Sequence, residues 1–227
     1  MAFGYPVFLE LEGRRVVVIG EEAVRAGRAE ALMDAGARVT VIAPGPVERL
    51  EQLAARGASV DRRGYLPGDL AGAFVCVAAS SDPAERASIA AEARARGVLV
   101  NVMDDVPNCD FAAPAVVRRG DLTIAIGTGG RSPALARRLR DDLSERYGPE
   151  WTEAMRVIGD VRADTLSALP DLADRASRWA AALDLDELLE LVRAGRSTEA
   201  AGRLTARLLA GSDERDRGQA IPAEVRV

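Results

Sequence analysis

The stretch Arg15-Val16-Val17-Val18-Ile19-Gly20-Glu21-Glu22-Ala23-Val24, followed by Gly36 and then Arg38-Val39-Thr40-Val41-Ile42-Ala43, decides the fold. Arg15 to Ile19 is a short apolar run of β-branched residues and reads as a strand. Glu22 to Ala35 reads as a helix that Gly36 ends, and Arg38 to Ala43 is a second strand. Strand, helix and strand at these lengths form a βαβ unit with parallel strands. The alternation continues outward. Val47 to Arg56 is helical and ends at Gly57, Ala58 to Arg62 is a short strand, and Ala73 to Ala78 is an apolar strand. Pro83 to Arg96 is an Ala-rich helix stopped by Gly97, and Gly97-Val98-Leu99-Val100 is one more buried strand. Right-handed crossovers turn this order into an α/β, Rossmann-like parallel sheet.

The pattern changes near Asp110. Ala115-Val116-Val117 and Leu122 to Ile126 read as two strands joined across Arg118-Arg119-Gly120-Asp121. A helix is expected from Ser132 to about Tyr147, punctuated by Gly148-Pro149. Helical segments are then expected over 151–167, 171–183, 185–194 and 197–210, with Leu183, Leu185, Leu188, Leu189 and Leu191 supplying an apolar face. The domain expectation is therefore 1–112 for the parallel sheet, 113–149 for a small α+β part, 150–211 for a helical part and 212–227 for a frayed tail.

Composition narrows the function. The chain has 227 residues, 48% of them hydrophobic, yet no apolar run long enough to span a bilayer. The start, Met1-Ala2-Phe3-Gly4-Tyr5-Pro6, lacks a basic region before an apolar stretch, so no signal peptide is read. The two cysteines, Cys76 and Cys109, form no disulfide scaffold, and a cytoplasmic protein is expected with no membrane partner. Cys109 reads as a packed thiol, and Trp151 and Trp179 as core residues. There is no histidine, which excludes Ser-His-Asp and Cys-His machinery and any His-based metal site. Proton transfer must fall to carboxylates, amines, tyrosine or water, with a cofactor carrying the rest. A formal charge of −5 argues against nucleic acid as a partner.

Two stretches carry candidate chemistry. The strand ending at Val100-Asn101-Val102-Met103 runs into Asp104 and Asp105. Ligands of open α/β sheets bind beyond the carboxyl ends of the strands, so Asp104 stands where a base is useful. The second stretch, Gly127-Thr128-Gly129-Gly130-Arg131-Ser132, lies between a strand and a helix. It lacks the spacing of a P-loop. Its glycines still expose N–H groups to an anion such as a carboxylate. Arg118, Arg119, Arg131, Arg137, Arg138 and Arg140 are nearby cations in the sequence.

These motifs, with Tyr5-Pro6-Val7-Phe8-Leu9 and Ala35-Gly36-Ala37-Arg38-Val39-Thr40-Val41-Ile42-Ala43-Pro44, resemble the precorrin-2 dehydrogenase / sirohydrochlorin ferrochelatase family of siroheme biosynthesis. The resemblance runs to about Arg140. It implies NAD-dependent oxidation of precorrin-2 to sirohydrochlorin, a homodimer formed by a dimerisation and active-site domain at 113–149, and in some members insertion of Fe²⁺ as a substrate. Asp104 matches the family's acid, with any iron held transiently near it and no preassembled metal site. Gly20, Glu21, Glu22, Ala23, Val24, Ala43, Pro44, Ser80 and Asn101 match the cofactor-binding positions. Asp105, Arg118, Thr128, Gly129, Gly130, Arg131, Ser132 and Arg137 are the expected contacts to the tetrapyrrole. The chain departs from the family at its glycine-rich loop. Where members carry G-G-G-x-V-A, it has Gly20-Glu21-Glu22-Ala23-Val24-Arg25, so one glycine survives and two acids enter. Gly27-Arg28 replaces a basic pair, Ser80-Ser81-Asp82 and Arg86 differ around the same ligand, and Ala113 is smaller than usual. The loop leaves an alternative open: an NAD-independent sirohydrochlorin chelatase, or a non-catalytic sensor of tetrapyrrole or nucleotide.

Overall fold

Three consecutive valines, Val16 to Val18, have no solvent exposure at the centre of β1 (Arg15–Ile19) in the computed structural model. Complete burial of successive residues means that both faces of the strand are covered, as a parallel sheet flanked by helices requires. The structure describes residues 4–25, 27–45 and 47–210, so the expectation of a frayed tail at 212–227 lies outside them. Contacts divide the chain into two units: Met1–Ala113 with Gly129–Arg131, and Pro114–Thr128 with Ser132–Val227.

In the first unit, β1 pairs in parallel with β2 (Arg38–Ile42) on one side and β4 (Val75–Ala78) on the other. β3 (Ser59–Asp61) and β5 (Leu99–Val102) complete the order β3-β2-β1-β4-β5. The Rossmann-like parallel sheet expected from the sequence is present. One apolar layer gathers Val18, Val24, Ala29, Leu50 and Leu53; another gathers Val17, Leu70, Ile89 and Val100. Full burial of each such aliphatic side chain is worth about 1.5–3 kcal/mol.

The expected helix over 22–35 is a correction. Two short helices, α1 (Glu21–Arg25) and α2 (Arg28–Met33), occupy that span. Gly27 between them has φ 70°, a left-handed conformation that ends one helix and starts another. The break still leaves Val24 and Ala29 buried in the same layer. The remaining helices of this unit are α3 (Val47–Ala55) and α4 (Pro83–Arg96). α4 follows its local signals closely. Asp82 accepts from the Ala84 N–H at 2.8 Å, Pro83 occupies the first turn, and Gly97 closes the helix at φ 69°.

The second unit holds an antiparallel hairpin, β6 (Ala115–Arg119) and β7 (Leu122–Ile126), with Arg119 opposite Leu122 and Gly120 at φ 55° in the turn. α5 (Pro133–Arg146) follows, and then α6 (Glu150–Thr165), α7 (Leu172–Ala182), α8 (Leu185–Arg193) and α9 (Ser197–Leu209). Val157, Val161, Leu188, Leu191, Leu204 and Leu208 form the core of the last four helices. Trp151 and Trp179 pack against it, as their sequence context suggests. No helix among the described residues is long and apolar enough to cross a membrane.

Candidate functional site

Strand register builds the site. Ile19 pairs with Ile42 and with Ala78, and Ala78 pairs with Val102, so four strands end level with one another. The order reverses direction beside β1, whose two neighbours lead to opposite edges of the sheet. Such a switch point opens a crevice at the carboxyl ends of the strands, where open α/β sheets bind their ligands. Here the crevice is a cleft of about 580 Å³ within the first unit. Gly20, at φ 90°, lets the chain leave β1: a Cβ there would lie 1.9 Å from the Ala79 carbonyl oxygen. The one glycine retained in the loop is thus demanded by the sheet itself.

At the β1 end, Glu21, Glu22 and Arg25 line the cleft. Arg25 binds Glu21 at 2.7 Å and Glu22 at 3.5 Å, one helical turn apart. The two acids that replace family glycines therefore share a counter-charge, and neither stands bare. Pro44, beyond β2, lines the adjoining wall, as do Ser80 and Ser81 beyond β4. Ala23, Val24 and Ala43 do not line the cleft. Their side chains are buried at 0–1% exposure and pack in an apolar layer of the sheet.

At the β5 end the two aspartates separate. Asp104 lines the cleft, is exposed, and is the one non-glycine residue with positive φ (60°) among the described residues. Such a conformation is uncommon for a residue with a Cβ and concentrates at functional sites. No described group bonds its carboxylate. Asp105 turns away. It accepts from the Asn108 amide at 3.0 Å and the Arg86 guanidinium at 2.9 Å, while Arg86 also donates to the Ser80 carbonyl at 2.9 Å. The Asn108 hydrogen bond, with Arg86 beside it, holds the Asp105 carboxyl below the usual range. Asp105 is thus engaged in an ion pair that braces the loop.

Asn101 is also engaged within the fold. Its amide donates to the Phe111 carbonyl at 2.9 Å and approaches Cys109 Sγ, and it does not line the cleft. Cys109 accepts from the Val102 N–H and donates to the Val102 and Asp105 carbonyls, and burial pushes its thiol up. It staples the loop after β5.

Tyr65 forms another wall of the cleft. Its hydroxyl donates to Glu92, which also accepts from the Gly68 and Leu70 N–H groups and from Arg96. Burial alone would raise the Glu92 carboxyl, but these four donors outweigh it and keep it low. Burial and the Glu92 hydrogen bond push the Tyr65 phenol up, so Tyr65 is a neutral surface at ordinary pH. Sequence reasoning missed Tyr65, Glu85, Met103 and Arg25 as cleft residues. Only Arg25 had a signal, its i+4 and i+3 spacing from the two glutamates.

In the turn before α5, Gly129 and Gly130 adopt φ 60° and 76°. Ser132 caps α5 through the Leu135 N–H, and the Thr128 hydroxyl closes the turn on the Ser132 backbone. Both hydroxyls are thus engaged in shaping the turn. Arg118, Arg131 and Arg137 are exposed.

The cleft suits a dinucleotide in part. The switch-point crevice is in place, and Gly45, following Pro44, makes room for the Glu21 side chain at its edge. The pyrophosphate side lacks a second glycine, and Arg25 offsets the acid there. Residues 7–115 match the family model described as putative NAD(P)-binding, and residues 119–146 match that of the sirohaem biosynthesis protein central domain. The siroheme synthase of Ectopseudomonas mendocina (strain ymp) is 36% identical over 94% of this chain and 46% of its own length. That of Chromobacterium violaceum is 32% identical over 93% and 45%. The chain therefore spans about half the length of the curated relatives it matches. The solved structure of SirC, a precorrin-2 dehydrogenase, superposes with a TM-score of 0.68 at 28% identity, covering 88% of this chain and 98% of that one. Sequence motifs, family models and fold agree: the chain is similar to the siroheme synthases and to SirC, and it carries the NAD(P)-binding and sirohaem central segments in that order.

Proposed function

We propose that the protein catalyses the NAD-dependent oxidation of precorrin-2 to sirohydrochlorin in siroheme biosynthesis. The observation that carries this reading is Asp104: an unpaired carboxylate, held at φ 60°, in the cleft at the carboxyl ends of the strands. Bound NAD⁺ would supply the hydride acceptor, with Gly20, Glu21, Pro44 and Ser80 as the residues that hold it. Asp104 takes the proton that leaves the substrate as the hydride departs. The bare carboxylate suits this task because a general base must reach its proton without first breaking a structural bond. Arg86 assists indirectly by occupying Asp105, which leaves Asp104 the one carboxylate of the two at the β5 end that faces the cleft.

The carboxylate-binding roles of Thr128, Gly129, Gly130, Arg131, Ser132, Arg118 and Arg137 belong to this proposal as well. Their support is the left-handed glycines and the exposed guanidiniums. Since the Thr128 and Ser132 hydroxyls are engaged in the turn, backbone N–H groups and arginines would make the contacts. A homodimer is proposed through α5, where Leu135 and Leu139, one turn apart, are 50% and 38% exposed. A cytoplasmic setting is supported by two free cysteines.

A second reading is favoured by one feature. Glu21 and Glu22 stand where a dinucleotide loop carries glycines, which suits a chelatase that inserts Fe²⁺ without NAD. Asp104 would then remove the pyrrole protons that the incoming iron, as substrate, displaces. An anaerobic optical assay separates the two. NAD⁺-dependent appearance of sirohydrochlorin from precorrin-2 is expected. Metal insertion into supplied sirohydrochlorin with no oxidation would instead establish the chelatase. Neither activity above the protein-free control would remove both and leave the sensor.

A further inference from the structure

Dinucleotide-binding sheets ordinarily take the adenosine ribose on an acid at the end of the second strand, about 20 residues after the glycine loop. Here β2 runs into Ala43-Pro44-Gly45, which offers no side-chain acceptor. The acid has another source. Glu21, at the start of α1, lies across this same loop. Its Cγ, Cδ and Oε1 stand 2.6, 2.9 and 3.3 Å from the point where a Cβ on Gly45 would sit. Gly45 thus provides the room that the carboxylate occupies. Glu21 Oε2 is tied to Arg25 at 2.7 Å, which orients the group and leaves Oε1 for a ligand. The side chain is 34% exposed and lines the cleft, so a ligand can reach it.

Resting on the reading of the cleft as a dinucleotide site, we propose that Glu21 is its ribose-binding carboxylate, delivered from the end of β1, and that it selects a free 2′-hydroxyl over a 2′-phosphate. A carboxylate accepts hydrogen bonds from ribose hydroxyls, whereas a 2′-phosphate brings only acceptors and like charge. The neighbouring cations do not reverse the preference. Arg25 is shared between Glu21 and Glu22, and Arg49 is held by Glu30 and the Val24 carbonyl. The glutamate that removes a phosphate-cradling glycine thereby replaces the acid missing after β2.

Equilibrium calorimetry with NAD⁺ and NADP⁺, on the full chain and two variants, tests this. The unaltered protein should bind NAD⁺ about tenfold or more tightly than NADP⁺, the range expected for a charged hydrogen bond. Glu21→Gln keeps the shape and should cut that ratio about tenfold, chiefly by strengthening NADP⁺. Gly45→Ala keeps the charge but displaces the carboxylate, and it should cut the ratio by weakening NAD⁺. Circular dichroism melts check that both variants fold. If Glu21→Gln tightens both nucleotides equally and Gly45→Ala changes neither, Glu21 acts only as a diffuse negative charge and the proposal is overturned, while dinucleotide binding stands. If the unaltered protein binds neither nucleotide, the NAD-dependent reading falls and takes this inference with it.

Discussion

The β1 and β5 ends of the cleft have nearly the same ingredients and opposite outcomes. Each strand runs into two consecutive acids, Glu21-Glu22 and Asp104-Asp105, and each pair meets one arginine. At the β1 end the arginine sits on the same short helix and spans both acids, with its own side chain 53% exposed. Pairs of this kind contribute about 0–1 kcal/mol to stability. At the β5 end the arginine comes from α4, 19 residues earlier in the chain, and both partners are mostly covered, at 24% and 17% exposure. Of the two acids it engages Asp105 alone. Two carboxylates and a guanidinium thus make a shared clamp in one place and a bare base in the other. Where the arginine is anchored decides which.

The comparison breaks most sharply at Asp104. Asp104→Asn should lower precorrin-2 oxidation about 10²- to 10⁴-fold, the usual contribution of a general base, with the melting curve little changed. A loss below about threefold would mean that the bare carboxylate is not the base, since that lies far under the range for such groups. Next in size is Gly20→Ala. Its Cβ meets the Ala79 backbone and its φ of 90° disfavours any side chain, so about 3 kcal/mol of stability should be lost in urea titrations. Gly45→Ala should destabilise far less, because the atoms it meets belong to the Glu21 side chain, which can swing aside.

Smaller effects sharpen the same contrast. With φ at 60° on residue 104, Asp104→Gly should be about 1 kcal/mol more stable than Asp104→Ala, although both lack the base. Equal melting points would show that the left-handed turn is not retained without the aspartate. The subtlest test is titration with acid. Asp105 has its folded-state pKa lowered, first by the Asn108 hydrogen bond and then by Arg86. Its contribution is therefore present above the ordinary carboxylate value of about 3.9 and is lost as pH falls through the lower folded value. Asp105→Asn should be less stable than the parent near neutrality, and the gap should narrow below about pH 4. A gap that stays constant across this range would remove the charge from the account of how the loop is held.

Local signals made much of the first unit legible. Val16 to Val18 mark a strand covered on both faces, and Asp82, Pro83 and Gly97 set the ends of α4 because caps act within one turn of the chain. Asp104 was legible as a site candidate for the same reason: an acid directly after a buried strand must lie at the sheet's carboxyl edge. Gly27 was not. A lone glycine in a helical pattern is compatible with a continuous helix, and only its left-handed φ of 70° in the folded chain shows that the helix breaks there.

Sequence alone therefore determined the parallel sheet, the hairpin and helices that follow it, and the edge at which the candidate site lies, since each rests on periodicity or on neighbours a few residues apart. Tertiary structure decided which polar groups remain available at that edge. Asp105 is consumed by Arg86, Asn101 by Phe111, and the Tyr65 hydroxyl by Glu92, while Asp104 stays bare and Glu21 reaches the loop after β2. A side chain's hydrogen-bonding capacity is written in its residue type. Which partner uses it depends on strand order and on contacts between segments far apart in the chain, and those exist only once the sheet has formed.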